Sequence, residues 1–468
     1  MCLDNINFRF IKINPFRYFR SVRIPFKKSD MNFRKIAEQI FLAGVNRVTP
    51  DRLIHNQITL TGSTLNIGGH IFIPDKTSRV YIIGAGKATG DMARATEDIL
   101  GTKITGGHIV VKYGHSSDLK YIDVTEAGHP VPDKNGFRAT GNILEIAGKA
   151  TEHDLVICLL SGGGSSLLAD FPDGSSPGDI IYLNDLLVKS GATIQEMNVI
   201  RKHLSKVKGG GLARAIFPAT TFSLILSDVL GDPLDAIASG PTVPDPSTFS
   251  EALEIIKRNK IASSVPSGLM SYLKEGADGN QPETPKPGDP IFKKSHNILI
   301  GNNRMALEAG AEKATSLGFE VSFVDDKLQG NSLIASQYII EKAVSFRKQK
   351  KSVKPACLLF GGETTLKVTG NGLGGRNQHL ALAASLSLKN VPGITILSGG
   401  TDGNDGPTDA AGAVVDSATV PAAISKNISP EKYLTEFDSY NFFKRSSGHI
   451  ITGPTRTNVM DMVVVLIW

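Results

Sequence analysis

Short apolar runs alternate with longer segments of helical length along most of this chain. The runs have the length of buried strands, and several end in a glycine-rich turn. Strands are predicted at residues 80–83, 108–111, 155–160, 222–226, 297–300, 320–323, 356–360, 394–397 and 448–451, with a last buried strand at 463–468. Helices are predicted at residues 91–100, 178–190, 305–316 and 332–349. This alternation predicts α/β layers built on largely parallel sheet.

One segment interrupts the pattern. Residues 276–290 (GADGNQPETPKPGDP) are rich in proline and glycine and lack large apolar side chains, which is typical of a surface linker. We therefore predict a basic leader at residues 1–30, a first α/β domain at 31–280 and a smaller α/β domain at 291–468. Because ligands of open α/β sheets bind beyond the carboxyl ends of the strands, the glycine-rich turns should face one shared cleft.

The composition, 41% hydrophobic and 21% charged, is that of an ordinary globular protein. No run of about 18 apolar residues occurs, so no membrane span is expected. The formal net charge of +6 comes mostly from residues 1–30, which hold seven Lys or Arg against two Asp. The rest of the chain is nearly neutral, so the charge gives no case for nucleic-acid binding.

The leader is rich in Arg and poor in acids, as a mitochondrial targeting segment is, but it holds little Ser or Ala and much Phe. Met31 is an alternative start, which would make the leader an upstream extension, and whether it is cleaved stays open. Three scattered cysteines, Cys2, Cys158 and Cys357, indicate neither a disulfide framework nor a zinc site. An intracellular location, cytoplasmic or mitochondrial, fits. The oligomeric state stays open.

Lys87 follows the first predicted strand in the turn Gly84-Ala85-Gly86-Lys87. Tyr81 stands where a Walker A loop needs its first glycine, and the third glycine of a dinucleotide fingerprint comes one residue late. What remains is a glycine turn that brings a lysine to a helix N-terminus, where an anion is favoured. The alternative is a surface lysine after a tight turn.

Three consecutive glycines follow the strand at 155–160. The run from Ser161 through Gly162, Gly163 and Gly164 to Ser165 offers bare backbone N–H groups as an anion nest. It lacks the Gly-x-Ser-x-Gly pattern of a nucleophile elbow. A flexible turn is the alternative.

Two cations, Arg201 and Lys208, are predicted to share a helix face that ends at a glycine run. A solvated basic face is an equal alternative. Asp228, at a strand end beside glycine, is a candidate for magnesium or for the proton of a hydroxyl group. Gly301 and Asn302 end another strand, where an Asn side chain suits adenine or ribose or caps a helix.

The run Gly374-Gly375-Arg376-Asn377 places an arginine beside bare backbone, which suits phosphate. The next loop, Ser398–Gly403 in the printed sequence, carries Asp402. An EF-hand does not fit residues 401–413, because Gly406 and Ala413 stand at ligand positions. Asp402 is the predicted functional acid of this loop, and the pair of loops points to phosphoryl transfer.

These loops together resemble the class II glycerate kinases, whose C-terminal part is the MOFRL region. The matching segments are GAGKATGDMA (84–93), EAGHPVPD (126–133), LSGGGSSLL (160–168), IRKHLSKVKGGGLA (200–213), LSDVLGDPLDAIASGPT (226–242), IGNN (300–303), GGETTLKVTGNGLGGRNQ (361–378), SGGTDGNDGPTDAAGAVVD (398–416) and SGHIITGPTRTNV (447–459). The resemblance implies a Rossmann-like three-layer α/β/α domain joined to a smaller α/β domain, with the active site in the cleft between them. Arg456 departs from it, because relatives commonly have a small residue there.

The resemblance implies ATP-dependent phosphorylation of D-glycerate with Mg²⁺, favouring the 2-hydroxyl, although some relatives are named for the 3-phosphate. It implies catalytic roles for Lys87 and Arg376, and Asp228 is the candidate third group. Magnesium is assigned to Asp228 and Asp402. Substrate binding is assigned to Arg201, Lys208 and Asn377. The residues predicted to bind nucleotide or phosphate are Gly84, Gly86, Ser161, Gly162, Gly163, Gly164, Ser165, Gly301, Asn302, Gly374 and Gly375.

Two other functions stay open. Some relatives are called hydroxypyruvate reductases, which would need a nicotinamide site that the failed fingerprint does not supply. A non-catalytic nucleotide or sugar-acid sensor would use the same loops without needing both Lys87 and Arg376.

Overall fold

The computed structural model describes residues 31–350 and 352–468, so the predictions for the leader at 1–30 lie outside the described residues. Fifteen strands occur in this part of the chain. They are β1 Ile58–Thr61, β2 Thr64–Ile67, β3 His70–Phe72, β4 Val80–Ala85, β5 Gly106–Lys112, β6 Asp123–Ala127, β7 Leu155–Leu160, β8 Thr220–Leu226, β9 Ser295–Gly301, β10 Glu320–Asn331, β11 Ala356–Thr365, β12 Ile394–Gly400, β13 Gly412–Asp416, β14 His449–Ile450 and β15 Asp461–Ile467.

Sixteen α-helices connect or flank the strands in the same described ranges. They are α1 Phe33–Arg47, α2 Pro50–Gln57, α3 Thr89–Leu100, α4 Lys134–Lys149, α5 Gly164–Leu167, α6 Pro177–Ser190, α7 Ile194–His203, α8 Gly211–Ile216, α9 Phe249–Arg258, α10 Ser267–Ala277, α11 Asn303–Ser316, α12 Ser332–Gln349, α13 Arg376–Leu388, α14 Thr419–Ile424, α15 Pro430–Thr435 and α16 Ser439–Ser446. No helix among the described residues is long and apolar enough to cross a membrane.

The first large sheet is entirely parallel, with strand order β6-β5-β4-β7-β8-β9. This order is that of a doubly wound dinucleotide-binding fold, in which chain direction across the sheet reverses between β4 and β7. Ligands of such sheets bind where the order reverses, beyond the carboxyl ends of the strands. The loops that follow β4 and β7 therefore meet at the expected binding crevice, as the predicted Rossmann-like fold requires.

The second large sheet has the order β10-β11-β15-β12-β13-β14 and is mostly antiparallel. Only β10 and β11 run parallel in it. The expectation of largely parallel sheet is thus wrong for this half, because β15, the last strand in chain order, inserts between β11 and β12. Every residue of β15 is buried, including its first residue Asp461, and the apolar run at 463–467 was predicted as buried strand. The two-domain α/β class is confirmed.

The predicted boundary between the domains needs two corrections. β9 follows the linker in sequence but pairs with β8, so it completes the first sheet. α1 precedes the first sheet but packs on the second, where Arg34 donates two hydrogen bonds to Asp416 and Phe33 stacks on Trp468 at 3.7 Å between ring centroids. The ranges 31–280 and 291–468 therefore do not separate the two cores. The crossing arises because the apolar face of α1 packs in one core with α11 and with strands of the second sheet.

A three-stranded antiparallel sheet of β1, β2 and β3 was absent from the prediction, as were β6 and β13. β3 has no buried residue, and its sequence lacks the apolar run that marks a core strand. By contrast, β7 and α12 lie at their predicted bounds, because each combines a clear apolar pattern with recognisable end signals.

Candidate active site

The loop after β4 packs tightly against the loop after β7. A side chain at Gly86 would place its Cβ 2.0 Å from Ser161 Oγ, so only glycine fits there. Lys87 N donates to Gly162 O at 2.9 Å, and Ala88 N donates to Ser161 Oγ at 3.1 Å. The turn that precedes α3 is therefore tied to the loop after β7, while the first turn of the helix has no side-chain cap. The favourable place for an anion at this helix terminus beside Lys87 stays a prediction.

Three predicted phosphate-binding residues consequently have packing roles. Gly84 lets β4 approach β7, since its Cβ would lie 2.1 Å from Leu159 O. Gly86 accommodates Ser161, and the Ser161 hydroxyl also lies 3.1 Å from Thr89 Oγ1. These contacts bring the two loops together. Gly84 lies inside β4 between two paired strands, Gly86 N donates to Val110 O at 3.2 Å, and Ser161 N donates to Ala85 O at 3.1 Å. Because these backbone groups are already engaged, the prediction that the three residues hold phosphate is corrected.

Gly162 and Gly163, in the loop after β7, form a strip of backbone with unpaired N–H groups: neither group has a hydrogen-bond partner among the described residues, whereas Gly164 N donates to Ser161 O. The φ of Gly163 is +84°, in the left-handed region that glycine adopts without steric cost. A Cβ on Gly162 would lie 1.8 Å from Asp228 Oδ2. Glycine at 162 therefore lets the Asp228 carboxylate pack directly against this strip.

Two cavities meet at this strip. The larger one, about 950 Å³, includes Gly163, Ser165, Arg201, Lys208 and Asp228 in its wall. Apolar side chains cover much of the rest, among them Ile180, Leu183, Leu204, Val229 and Leu230.

The smaller cavity is a polar cleft of about 580 Å³. Its wall includes Gly162, Lys87, Lys112, Arg376, Asp402 and Arg456. Lys87 comes from the first sheet and Arg376 from the second, so both catalytic candidates face one crevice between the two sheets. The chain thus brings together the two loops on which the sequence argument depends.

Arg376 is the first residue of α13 and is held by two carboxylates. Its Nε donates to Asp461 Oδ2 at 2.6 Å, and its Nη2 donates to Asp461 Oδ1 at 2.8 Å. Nη1 lies 3.0 Å from Glu363 Oε1. Burial alone would lower the pKa of Arg376, but the hydrogen bonds and charge of Asp461 raise it above its usual value. The guanidinium is therefore fixed in direction and permanently charged.

The N-terminus of α13 is capped by Asp405, which reaches it because Gly375 has no side chain. Asp405 accepts hydrogen bonds from Asn377 N at 3.0 Å and from Gln378 N at 2.8 Å. A Cβ on Gly375 would lie 2.3 Å from the Asp405 Cγ, and one on Gly374 would lie 2.2 Å from Ser439 Oγ. Close packing therefore explains why glycine stands at both positions, and phosphate binding by Gly374 and Gly375 stays a prediction.

Asn377 was predicted to bind substrate, and the structure corrects this too. Its side chain is buried, donates to Asp461 Oδ1 at 2.9 Å and accepts from Ser398 Oγ at 2.6 Å. With its amide groups already paired, Asn377 positions Asp461, which in turn holds Arg376.

Asp228 and Asp402 approach the strip from opposite sheets. Burial raises the pKa of both carboxyl groups. Lys87 favours the ionised form of each, while the charge of Asp402 further raises the pKa of Asp228. The two acids therefore repel each other across a site that also holds a lysine.

The fit of a magnesium ion can be judged from these acids. Among residues 31–350 and 352–468 no group of three or more His, Cys, Asp or Glu is arranged to hold a metal ion. Mg²⁺ commonly takes one or two carboxylates and completes its shell with substrate phosphates and water. The two mutually repelling carboxylates, and the open edge of Asp228 against Gly162, fit that kind of site.

Arg201 and Lys208 both line the larger cavity, although the predicted continuous helix is wrong. α7 ends at His203, so Lys208 reaches the cavity from the following turn. Lys208 Nζ donates to Leu168 O at 2.5 Å, and Arg201 Nε donates to Asn184 Oδ1 at 2.7 Å. Burial lowers the pKa of both. Within the described residues Arg201 has no carboxylate partner, which leaves its charge available to an anion.

Gly301 and Asn302 lie outside both cavities. Asn302 is the N-cap of α11: its Oδ1 accepts from Met305 N at 3.1 Å, and its Nδ2 donates to Asp232 Oδ2 at 2.6 Å. A Cβ on Gly301 would meet Leu53 and Leu226. The nucleotide role predicted for this pair is therefore corrected to capping and packing.

Sequence reasoning missed several residues of the site. Asp461 and Asp405 anchor α13, while His129 and Lys112 border the two cavities. Their roles depend on partners far away in sequence, so no local spacing indicates them. For His129 the signal was its place in the segment EAGHPVPD, which carried the resemblance without a role.

A doubly wound sheet, a second sheet and a cationic crevice between them define a two-domain α/β protein of the phosphate-handling kind. The domain of unknown function DUF4147 matches residues 36–274, and the MOFRL family matches residues 356–461. A D-glycerate 2-kinase of Thermotoga maritima is 42% identical over 439 residues, which is 93% of this chain and 99% of the relative. The chain belongs to the class II glycerate kinase family.

Structural similarity agrees with this assignment. A solved glycerate kinase structure from Thermotoga maritima superposes with a TM-score of 0.83 at 40% identity, covering 93% of this chain and 99% of that one. One relative carries a competing name. A putative hydroxypyruvate reductase of Agrobacterium vitis is 36% identical, covering 96% of this chain and 98% of the relative.

Proposed function

We propose that this protein is an ATP-dependent kinase that phosphorylates D-glycerate at its 2-hydroxyl. The observation that carries the proposal is the convergence of Lys87 and Arg376, from different sheets, on one crevice beside the open N–H groups of Gly162 and Gly163. Phosphoryl transfer needs positioning and charge stabilisation more than covalent chemistry, and this arrangement supplies both.

The adenosine of ATP occupies the larger cavity, whose apolar walls suit a purine ring. Its phosphates extend toward the Gly162–Gly163 strip, with Arg201 and Lys208 along the way. This moves these two cations from the predicted glycerate site to the nucleotide site. D-Glycerate, which is small and anionic, occupies the polar cleft, where Lys112 and Arg456 are available to its carboxylate.

The reaction is a direct transfer over the strip. The 2-hydroxyl oxygen of glycerate bonds to the γ-phosphorus while the bond from that phosphorus to the β–γ bridging oxygen breaks, and ADP leaves with the electron pair. Asp402 orients the hydroxyl and accepts its proton, a role that its raised pKa favours. Lys87 and Arg376 neutralise the charge that spreads over the transferring group.

Magnesium is the proposed cofactor, with Asp228 and the nucleotide phosphates as its ligands. When bound, such an ion neutralises phosphate charge and aligns the transferring group. The protein residues have separate roles: the absence of a side chain at Gly162 lets the Asp228 carboxylate lie close to the phosphates, and Asp402 remains available to the glycerate hydroxyl.

The test is a coupled ADP-release assay with D-glycerate, followed by NMR identification of the product. Turnover to 2-phosphoglycerate supports the proposal. Turnover to 3-phosphoglycerate would show that the 3-hydroxyl attacks instead of the 2-hydroxyl. Oxidation of NADH by hydroxypyruvate without glycerate-dependent ADP release would favour the reductase. ATP binding without either reaction would favour a sensor.

The compartment is proposed to be intracellular, on the sparse cysteines and the Arg-rich leader. A fluorescent fusion in the source cell, compared with a fusion that begins at Met31, distinguishes mitochondria from cytoplasm. Identical cytoplasmic signals from both fusions would remove the targeting role of residues 1–30.

A further inference from the structure

His129 stands at the junction of the two cavities without a role in the mechanism above. It lines the larger cavity, and its ring lies over Gly163, where a Cβ would be 2.9 Å from His129 Cδ2 and 3.0 Å from Nε2. The same Cβ would be 3.4 Å from Lys87 Cε. His129 and Lys87 therefore converge on the strip proposed to hold the transferring group.

The imidazole makes no hydrogen bond to another residue among the described residues, although neighbouring histidines do. His115, for example, bonds to Lys87 O through Nδ1 at 3.0 Å. A half-buried ring with polar atoms open to a cavity lacks the partners that a purely structural histidine would have. The ring nitrogens of His129 are therefore available to a ligand bound at the Gly162–Gly163 strip.

We infer that His129 is a further catalytic residue, whose imidazole N–H donates a hydrogen bond to the γ-phosphoryl group beside Lys87. This rests on the proposed kinase function for the identity of the transferred group. No bond to His129 forms and no phosphohistidine is involved. The ring adds one donor to those of Lys87, Arg376 and the glycine N–H groups, at the point where charge develops.

The charge around His129 is consistent with this role. Burial lowers its pKa to about 4, and the nearby cations Lys87 and Lys112 lower it as well. The ring is therefore neutral at pH 7, with one N–H to donate.

The first experiment is His129→Ala, assayed with and without added imidazole. We expect kcat to fall on the order of 100-fold, with a change in the KM for D-glycerate of less than about threefold, as for removal of one transition-state donor. Imidazole entering the open cavity should restore at least about a tenth of the lost rate. Full activity of the variant, or no recovery by imidazole in a folded variant, would overturn the inference.

A matched control is His153→Ala, because His153 is an exposed histidine away from both cavities. It should keep wild-type kcat and show no imidazole effect. If His129→Ala does not fold, His129→Gln and His129→Leu replace it. The glutamine variant, which keeps a donor, should turn over about tenfold faster than the leucine variant, and equal rates would overturn the inference.

Proton NMR separates this inference from the kinase proposal. Addition of the β,γ-imido analogue of ATP should shift the His129 ring resonance and leave that of His153 unchanged. If the His129 resonance shifts but the protein does not phosphorylate glycerate, the kinase proposal is wrong and the contact between His129 and phosphate is supported. If the protein phosphorylates glycerate but the resonance does not shift, only the proposed contact is wrong.

Discussion

Arg376 and Asp461 form a two-pronged ion pair, with Nε and Nη2 of the arginine bonded to the two carboxylate oxygens at 2.6 and 2.8 Å. The aspartate is the first residue of β15, in the middle of the second sheet. The charge that faces the crevice is therefore oriented by a fully buried strand of the second sheet.

Replacing Arg376 by lysine should reduce kcat on the order of 100-fold while changing nucleotide affinity far less, because an ammonium cannot make the planar paired contact. Steady-state kinetics and calorimetric titration with an ATP analogue measure the two effects. Arg304→Lys, which alters an exposed ion pair with Glu308, is the control and should leave both unchanged. An Arg376→Lys enzyme with near-normal turnover would exclude the paired geometry from the mechanism.

Gly162→Ala should abolish most activity and leave the fold largely intact. The added methyl would displace the Asp228 carboxylate, since the Cβ position lies 1.8 Å from Oδ2. A loss on the order of 100-fold in kcat is expected for a misplaced catalytic geometry. Gly141→Ala in α4, where nothing lies within 4 Å, should instead stabilise the helix by about 1 kcal/mol. Activity of Gly162→Ala within a few-fold of wild type would mean that Asp228 can move without consequence.

Asp405 should make stability fall as pH rises between about 4 and 6. Burial raises its pKa from 3.8 to about 6, so the folded state keeps a proton that the unfolded chain loses over this range. The linked loss is about 3 kcal/mol at pH 7 relative to pH 3.5. Denaturant unfolding of wild type and Asp405→Asn across this range measures it. The difference between the two proteins isolates this group, and a pH-independent difference would contradict the raised pKa.

Arg456→Gly should separate stability from substrate binding. Arg456 has φ = +63°, a left-handed conformation that costs roughly 1 kcal/mol for a residue with a side chain. Glycine removes that strain but gains freedom in the unfolded chain, so the free energy of unfolding should change by less than about 1 kcal/mol. The KM for D-glycerate should rise, on the order of tenfold, because one cation leaves the polar cleft. Unchanged KM values for both substrates would remove Arg456 from the site.

The sequence predicted strands and loops better than the partners of polar side chains. β7 carries an uninterrupted apolar run and ends at a triple glycine, so both the strand and the crevice beyond it could be placed. Asn377 could not be interpreted, because its partner Asp461 lies 84 positions away. For Asn302 the sequence left nucleotide binding and helix capping open, and the hydrogen bond from Met305 N shows that it caps α11. A local sequence pattern indicates which residues lie near a turn. Only the folded chain determines which of their polar side chains already have hydrogen-bond partners within the protein.

The mixed second sheet could not be predicted for a related reason. A terminal apolar run such as that of β15 is compatible with an edge or a central strand and with either direction. β15 pairs with β11 and β12 along its two edges, and its alternate side chains pack into two apolar cores, one on each face of the sheet.

The position of β15 in the sequence also determines when each of the two large sheets can be completed during translation. The first sheet is complete in sequence once β9 has been made, so a nascent chain can close its parallel core early. Arg376 cannot be oriented until residue 461 emerges, because its anchoring carboxylate belongs to the final strand of the second sheet. Under the proposed mechanism, activity therefore cannot appear before β15 has joined the second sheet.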